Sequence, residues 1–268
     1  MAKYSHNYHS SSPLDSKEQE VILRKAFEVI LNYLQANQNR ELKVLDYQSA
    51  DFLKQKLDLS LPQQGVASEQ LISMIELYLQ HSVRTGSRQF FNHLWGGFES
   101  SGLLAEMATS AANTSMTLYE SAPVALLMEQ ELIRMLNHLV GFSTGEGLMV
   151  TGGSNANLVG MLCARHKFLP DAKHQGLGNC QLVGFVSEQA HFSFLKAANV
   201  LGIGMDNLVK VKSDAQGKMI SQELDLAIEH SYSEGKTPFF VAATAGTSVL
   251  GAFDPLPAIA EITQKYGL

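Results

Sequence analysis

The feature that most constrains the fold is an alternation of short apolar runs and helical patterns from Leu148 onward. The apolar runs at Leu182–Ser187, Asn207–Val211 and Phe239–Ala243 are predicted strands, and a helical pattern follows each of them. Strands that are apolar almost throughout are typical of a parallel sheet covered by helices on both faces. The sequence therefore predicts an α/β fold, in which ligands lie at the carboxyl ends of the strands.

A glycine-rich turn opens the first helix of this region. The stretch Leu148–Asn157 reads Leu-Met-Val-Thr-Gly-Gly-Ser-Asn-Ala-Asn and leads into a helical pattern. Gly152 and Gly153 allow a tight turn and a close approach of the backbone, and Ser154 or Asn155 can cap the helix. Free N–H groups and the helix dipole at such a start suit an anion, most simply a phosphate. The alternative is an ordinary capped glycine turn without a ligand.

Two further polar clusters follow predicted strands. In Ser187–His191, the histidine can stack on a planar ligand or move a proton, or it can be a surface group. Thr244–Thr247 places hydroxyl groups beside a glycine, where they can bond ring or phosphate oxygens or simply form a turn. Because the three clusters end successive units of the same sheet, we expect them to form one ligand site.

The N-terminal third of the chain is predicted to be helical. Apolar residues recur at helical spacing over three segments, namely 16–35, 47–58 and 68–84. Two more helices are predicted before Leu148, and Pro123 and Gly141 suit the start and the end of the second one. Amphipathic helices without a sheet of their own must bury their apolar faces on the rest of the chain or on a partner.

Composition excludes several classes of protein. With 45% hydrophobic and 17% charged residues, the chain resembles globular proteins that form a core. Its formal net charge of −6 argues against nucleic acid as a partner. Cys163 and Cys180 have no metal-ligand or disulfide-framework spacing, which fits a reducing compartment. No segment has the pattern of a signal peptide or a membrane span, so we expect a cytoplasmic protein with no membrane partner.

The order of the polar motifs resembles the group II pyridoxal-phosphate-dependent amino-acid decarboxylases. The resemblance covers about residues 85–268 and rests on four runs: Tyr119–Pro123, Gly147–Asn157, Ser187–His191 and Thr244–Asp254. Their wording is most similar to the branch that acts on glutamate, aspartate and cysteine sulfinate. The resemblance implies a fold-type-I large domain with a mainly parallel sheet, the cofactor pyridoxal 5′-phosphate, and decarboxylation of an acidic amino acid such as aspartate or glutamate.

The resemblance also implies roles for individual residues. Cofactor contacts are implied for six of them: Gly152, Gly153, Ser154, His191, Thr244 and Thr247. Of these, Gly153 and Ser154 would hold the phosphate, and His191 would stack on the pyridine ring and act as the catalytic proton donor. Thr247, together with Thr244, would bond the cofactor or the substrate carboxylate. His93 lies in a run that resembles a substrate-side loop, at a position where glutamate-acting members of the family usually carry glutamine.

Members of this family are homodimers that exchange N-terminal helices. The resemblance therefore implies a dimerisation segment at residues 1–85 and an incomplete cofactor-binding domain at residues 86–268. In the family, the lysine that carries the cofactor and the aspartate that pairs with the ring nitrogen come after the segment matched here. We expect neither Lys167 nor Lys196 to replace that lysine.

This chain alone is therefore predicted to carry the phosphate and ring-stacking half of a site, to lack the C-terminal part of the fold, and to be inactive. Two alternatives to this reading stay open. The chain can be a non-catalytic remnant of the fold that acts as a dimerisation or binding module. It can also belong to another fold-type-I pyridoxal-phosphate lyase or transaminase.

Overall fold

The computed structural model describes residues 16–61, 65–92 and 94–268. The chain divides into two compact units, of which the first ends at Ser115 and the second begins at Met116. The domain boundary after residue 85 stays a prediction. Among the described residues, no helix combines the length and the apolar character that crossing a membrane requires.

The first unit is helical, as predicted. Its helices are α1 (Ser16–Ala36), α2 (Ala50–Lys56), α3 (Ser68–Gln80) and α4 (Ser100–Ala112). Helix α2 is shorter than the predicted segment 47–58 because Ser49 is its N-cap and accepts a hydrogen bond from the N–H of Phe52 at 3.2 Å. Helices α1 and α3 pack against each other. The guanidinium of Arg84 lies 4.6 Å from the centre of the Tyr33 ring and so joins the chain after α3 to α1.

The second unit alternates helices and strands. Its elements are α5 (Pro123–Val140), α6 (Gly153–Phe168), α7 (Ala172–Gln175), β1 (Leu182–Ser187), α8 (Ser193–Val200), β2 (Leu208–Val211), α9 (Ser221–Ser233), β3 (Thr237–Ala242) and α10 (Leu256–Tyr266). Helix α5 ends where Gly141 adopts a φ of 89°, which confirms the predicted start and end of that helix. The short helix α7 was not predicted, since four residues are too few for a periodic pattern.

The described strands form one parallel sheet in the order β2-β1-β3. Strand β1 pairs with both neighbours, so that Gly184 lies opposite Leu208 on one side and Phe240 on the other. Parallel strands all end at the same edge of a sheet. The segments that follow β1 and β3 therefore begin side by side.

Helices cover both faces of this sheet. One apolar cluster joins β1 to α6 and α8 and includes Met161, Leu182, Val186, Ala197 and Ala198. A second cluster joins β1 to α9 and α10 and includes Val183, Phe185, Leu224, Ile228 and Ile259. Neighbouring side chains of β1 thus enter opposite clusters, and all six residues of the strand are buried. The parallel sheet with helices on both faces, predicted from the continuous apolar runs, is confirmed.

Helix α5 contrasts with this core. None of its described residues is buried. Large apolar side chains recur along it at intervals of three or four residues and are exposed, among them Met128 at 63%, Leu132 at 50%, Leu136 at 50% and Leu139 at 77%. This spacing places them on one side of the helix as an apolar stripe.

Candidate functional site

A cavity of about 470 Å³ lies where the three polar clusters meet. Its lining includes Gly153, Ser154 and Asn157 of α6, His191 from the segment after β1, and Thr244 and Ser248 from the segment after β3. The volume lies within the range of about 300–1,000 Å³ that is typical of small-molecule pockets. The sequence-based expectation that these clusters form one site agrees with this arrangement.

The start of α6 presents backbone donors to the cavity. Gly152 has a φ of 83°, a left-handed conformation that suits glycine, and its carbonyl oxygen accepts the N–H groups of Asn155 and Ala156 at 3.1 Å each. The N–H groups of Gly153 and Ser154 precede these first intrahelical bonds and are free to bind a ligand. A Cβ atom at Gly153 would meet no atom within 4 Å, so the backbone there is open to a bound group.

The prediction that Ser154 or Asn155 caps α6 was wrong. Gly152 occupies the N-cap position, and no side chain caps the helix. Ser154 is the second residue of the helix and comes too late to cap it. The side-chain amide of Asn155 instead donates to the hydroxyl of Thr151 at 3.1 Å. Ser154 therefore does not cap the helix, and it is one of the residues that line the cavity.

The electrostatics of the cavity come mainly from the backbone. The described residues that line it include no Asp, Glu, Lys or Arg, and His191 is the one imidazole among them. The free N–H groups of Gly153 and Ser154 lie at the N-terminus of α6, which is the positive end of the helix dipole. An anion is therefore the natural occupant of this end of the cavity.

His191 is held by a chain of hydrogen bonds between two helices. Its Nδ1 lies 2.9 Å from the Ser193 hydroxyl and accepts the Ser193 backbone N–H at 3.2 Å. The same hydroxyl accepts a hydrogen bond from the side-chain amide of Asn157 at 2.8 Å. The Phe192 ring lies 4.3 Å from the imidazole, centre to centre. Neither Ser193 nor Asn157, which lie 36 residues apart in the chain, was predicted from the sequence as part of the site.

Asp254 fixes the backbone at Thr244. The Asp254 side chain is 3% exposed, and its two oxygens accept the N–H groups of Thr244 at 2.8 Å and of Met219 at 2.7 Å. In return, the Asp254 N–H donates to the Thr244 carbonyl at 2.9 Å. The carboxylate thus ties the segment after β3 to the segment before α9. Asp254 lies in one of the sequence motifs, but its role was not predicted from the sequence.

Thr247 and Ser248 differ from the predicted arrangement. Thr247 is 6% exposed, and its hydroxyl accepts the N–H of Ala252 at 3.0 Å inside the turn. Among the described residues that line the cavity, Ser248 takes the place predicted for Thr247, and Gly152 contributes to the turn rather than to the lining. The direct cofactor contacts assigned to Thr247 and Gly152 stay predictions.

Glu188 supports the edge of the sheet beside the site. It follows β1, and its carboxylate accepts the N–H of Ser213 at 2.9 Å and the Ser213 hydroxyl at 2.6 Å. These hydrogen bonds to the charged form, from the hydroxyl first and then the backbone, hold the pKa of Glu188 below its usual value. The segment that leads to His191 is thereby joined to the segment after β2.

No lysine lines the cavity among the described residues. The ammonium of Lys196 lies 4.6 Å from the centre of the Phe192 ring. Lys167 lies in the last turn of α6, whereas the cavity is at the first turn. The predicted substrate contact His93 lies outside the described residues. Within the described residues, no His, Cys, Asp or Glu cluster has the composition of a metal site.

A family model matches most of the chain. The model described as "Pyridoxal-dependent decarboxylase conserved domain" matches residues 51–268. This range contains every residue of the cavity lining.

Relatives of known name match nearly the whole chain. This chain is 41% identical over 251 residues to human (Homo sapiens) cysteine sulfinic acid decarboxylase, and the match covers 93% of this chain and 51% of that protein. It is also 41% identical over 251 residues to glutamate decarboxylase of Drosophila melanogaster, covering 93% of this chain and 49% of that protein. The chain therefore spans about half the length of the curated relatives it matches.

Solved structures agree with the fold. The crystal structure of mouse CSAD is similar with a TM-score of 0.92 and 39% identity, over 95% of this chain and 54% of that chain. A structure of Oryza sativa TDC with PLP has a TM-score of 0.84 over 95% of this chain and 57% of that chain, and its 22% identity supports the fold alone. The α/β fold predicted from the sequence is confirmed.

Proposed function

Because the chain belongs to the pyridoxal-dependent decarboxylase family, we propose that its cavity binds pyridoxal 5′-phosphate and serves the decarboxylation of an acidic amino acid. The observation that carries this proposal is the meeting of an open helix start, His191 and Thr244 around one cavity. Relatives named for cysteine sulfinic acid and for glutamate favour a substrate with a second acidic group.

The donor set at α6 fits the phosphate of this cofactor. The N–H groups of Gly153 and Ser154 and the Ser154 hydroxyl can each donate a hydrogen bond to a phosphate oxygen. The absence of a Cβ atom at Gly153 lets the phosphate approach the backbone closely. The helix dipole adds a favourable field for a dianion.

The remaining lining residues fit the ring and the substrate. Bound pyridoxal phosphate supplies an electron sink for the charge left on the substrate carbon when carbon dioxide departs. His191 would stack on the ring and hold a proton for the substrate. Thr244 would bond a substrate or ring oxygen with its hydroxyl, and Phe194 would exclude water from one side of the cavity.

We further propose that this cavity is the phosphate and ring side of a larger site. Support comes from its lining, which contains no lysine among the described residues. A lysine is required to carry pyridoxal phosphate covalently through turnover. The chain alone is therefore expected to bind the cofactor without covalent attachment and to be inactive as a decarboxylase.

A homodimer is proposed on the basis of α5. The stripe that includes Met128, Leu132, Leu136 and Leu139 is apolar and exposed. Stripes of this kind on a helix are stabilised when a second apolar surface covers them. A second copy of the chain would bring an identical stripe, which fits the closed two-fold symmetry that most soluble oligomers adopt.

Titration of the purified chain with pyridoxal phosphate, followed by absorbance, tests this function. Saturable binding is expected, and borohydride reduction followed by peptide mapping is expected to find no modified lysine. Ser154→Ala should weaken binding by about tenfold or more, because a hydrogen bond to a charged group contributes about 1.5–3 kcal/mol. Ser221→Ala, in the first turn of α9, is the matched control and should leave binding unchanged.

Two results would contradict parts of the proposal. If binding does not saturate, or if Ser154→Ala and Ser221→Ala bind alike, the cavity is not the phosphate site. A reduced adduct on one lysine would refute the inference that the site lacks its covalent lysine.

A non-catalytic binding module is the second candidate, and the exposed stripe on α5 favours it. In that case the chain would associate with a partner through α5 and would show no saturable pyridoxal phosphate binding. The same titration therefore separates the two candidates.

A further inference from the structure

We infer that Ser193, supported by Asn157, is a positioning residue that fixes His191 as the tautomer with its proton on Nε2. The inference deepens the proposed function and rests on it only for the use that a bound ligand makes of the ring. The structural part concerns the free chain and is testable without the cofactor.

The tautomer follows from the direction of the hydrogen bonds. A backbone N–H can only donate, and that of Ser193 points at Nδ1 of His191 at 3.2 Å. In the neutral ring, the nitrogen that accepts this bond carries the lone pair, so the proton resides on the other nitrogen, Nε2. The backbone geometry at the start of α8 thus already disfavours a proton on Nδ1.

The side-chain hydroxyl adds a second constraint. The Asn157 amide donates to Ser193 Oγ at 2.8 Å. With that lone pair occupied, the hydroxyl proton is free to point at Nδ1, which lies 2.9 Å from Oγ. Asn157, Ser193 and His191 therefore form a directed chain in which each group donates to the next, and Nδ1 is its final acceptor.

The burial of Ser193 makes this chain of hydrogen bonds favour one tautomer of His191. Ser193 is 2% exposed, so water cannot readily replace a hydrogen bond that its hydroxyl loses. Its two hydrogen-bonding groups are both directed at one ring nitrogen. The opposite tautomer would place an N–H against the Ser193 N–H and would force the hydroxyl to turn away from its present partner. Each change costs free energy because the Ser193 groups that lose their partner are buried, although the imidazole of His191 is itself exposed.

The consequence for the cavity is which nitrogen of the His191 imidazole can donate to a ligand. His191 lines the cavity and uses Nδ1 for the protein, which leaves Nε2–H as the donor for a ligand. With the opposite tautomer, Nε2 would be an acceptor and could not donate a proton or a hydrogen bond. Ser193 and Asn157 would thus act through His191 without touching the ligand.

Nitrogen-15 NMR of the ligand-free chain, labelled on histidine and held at a pH where the ring is neutral, measures the tautomer directly. The His191 signals are assigned by their loss in His191→Gln. In the unmodified chain, Nδ1 should give the signal of an unprotonated ring nitrogen and Nε2 that of a protonated one. An equal mixture, or a proton on Nδ1, would overturn the inference.

Ser193→Ala removes the hydroxyl and keeps the backbone donor. The ratio of Nε2–H to Nδ1–H should fall by about fivefold, which is the ratio that one ordinary hydrogen bond sustains. Ser193→Thr keeps a hydroxyl and should restore the ratio. Ser231→Ala is the control, because Ser231 is also a buried helical serine but bonds the Ala227 carbonyl in α9. Equal ratios in Ser193→Ala and Ser231→Ala would refute the role of Ser193.

Asn157→Asp supplies a second test if Ser193→Ala fails to fold. A carboxylate at this position accepts a hydrogen bond from the Ser193 hydroxyl, so the oxygen of that hydroxyl can accept a hydrogen bond from Nδ1–H. The fraction of His191 that carries its proton on Nδ1 should therefore rise. An unchanged fraction would contradict the directed chain. The outcome is independent of cofactor binding: a tautomer as expected in a chain that does not bind pyridoxal phosphate would refute the proposed function alone.

Discussion

Replacement of Asp254 by alanine should destabilise the second unit strongly. The carboxylate is buried and accepts the backbone N–H groups of Thr244 and Met219, at 2.8 and 2.7 Å. Alanine leaves both N–H groups without their acceptor, the Met219 N–H in a buried position and the Thr244 N–H in a part-buried one. An unpaired buried donor costs about 1–3 kcal/mol, so the two together should lower the free energy of unfolding by about 2–6 kcal/mol.

Asp214 provides a matched control for this prediction. Its Oδ1 also accepts two backbone N–H groups, those of Gln216 at 2.9 Å and Lys218 at 3.0 Å, but Asp214 is exposed. Water can replace the lost acceptor there, so Asp214→Ala should cost less than about 1 kcal/mol. The contrast isolates the effect of burial from the number of hydrogen bonds.

Denaturant unfolding of both variants, followed by circular dichroism, measures the difference. Asp254→Asn is included because it keeps one acceptor oxygen and should lie between the unmodified chain and Asp254→Ala. Asp254→Asn should also weaken pyridoxal phosphate binding, since it loosens the backbone at Thr244. If Asp254→Ala and Asp214→Ala unfold at the same denaturant concentration, the assigned role of Asp254 is wrong.

Three further predictions concern other parts of the second unit. The depressed pKa of Glu188 means that its bonds to Ser213 stabilise the chain above the pKa of an unfolded glutamate, about 4.3, and that this contribution is lost as the pH falls through the folded pKa. Glu188→Gln should therefore reduce the acid-dependent loss of stability in denaturation measured from neutral to acidic pH. Gly152→Ala should destabilise the chain by about 1–2 kcal/mol because φ is positive there, whereas Gly160→Ala in the middle of α6 should stabilise it by about 0.5–1 kcal/mol in the same assay. Leu136→Glu on α5 should lower the dimer fraction in analytical ultracentrifugation, and an unchanged fraction would argue against this stripe as the interface.

Local pattern was sufficient for the sheet and for part of the site. Strand β1 was predicted with the bounds that the structure has, because all six residues are buried and polar residues flank them. His191 and Thr244 were predicted as neighbours because the segments after parallel strands meet at one edge, and they follow β1 and β3. Ser154 was predicted beside them as well, but the apolar run before Gly152 does not form a strand in the described structure, and Ser154 reaches the cavity from the start of α6. These inferences need only periodicity and the geometry of a parallel sheet.

The supporting hydrogen bonds could not be predicted in this way. Asn157 bonds Ser193 across 36 residues, and Asp254 bonds Met219 across 35. Neither pair has a sequence spacing that marks it, since each depends on how two helices or two connections pack. The prediction that Ser154 caps α6 was wrong for a local reason, because a glycine with positive φ occupies the N-cap position where a serine is common.

The order β2-β1-β3 also determines how the sheet comes apart. In the part of the chain described by the structure, β2 and β3 each pair only with β1, so either can detach alone, whereas release of β1 breaks both pairings. Amide hydrogen exchange should accordingly be slowest in β1 and faster in the two outer strands. His191 follows the strand that opens last, and Thr244 follows one that can open first. Partial unfolding that detaches β3 would therefore remove the Thr244 side of the cavity first, while His191 stays in position.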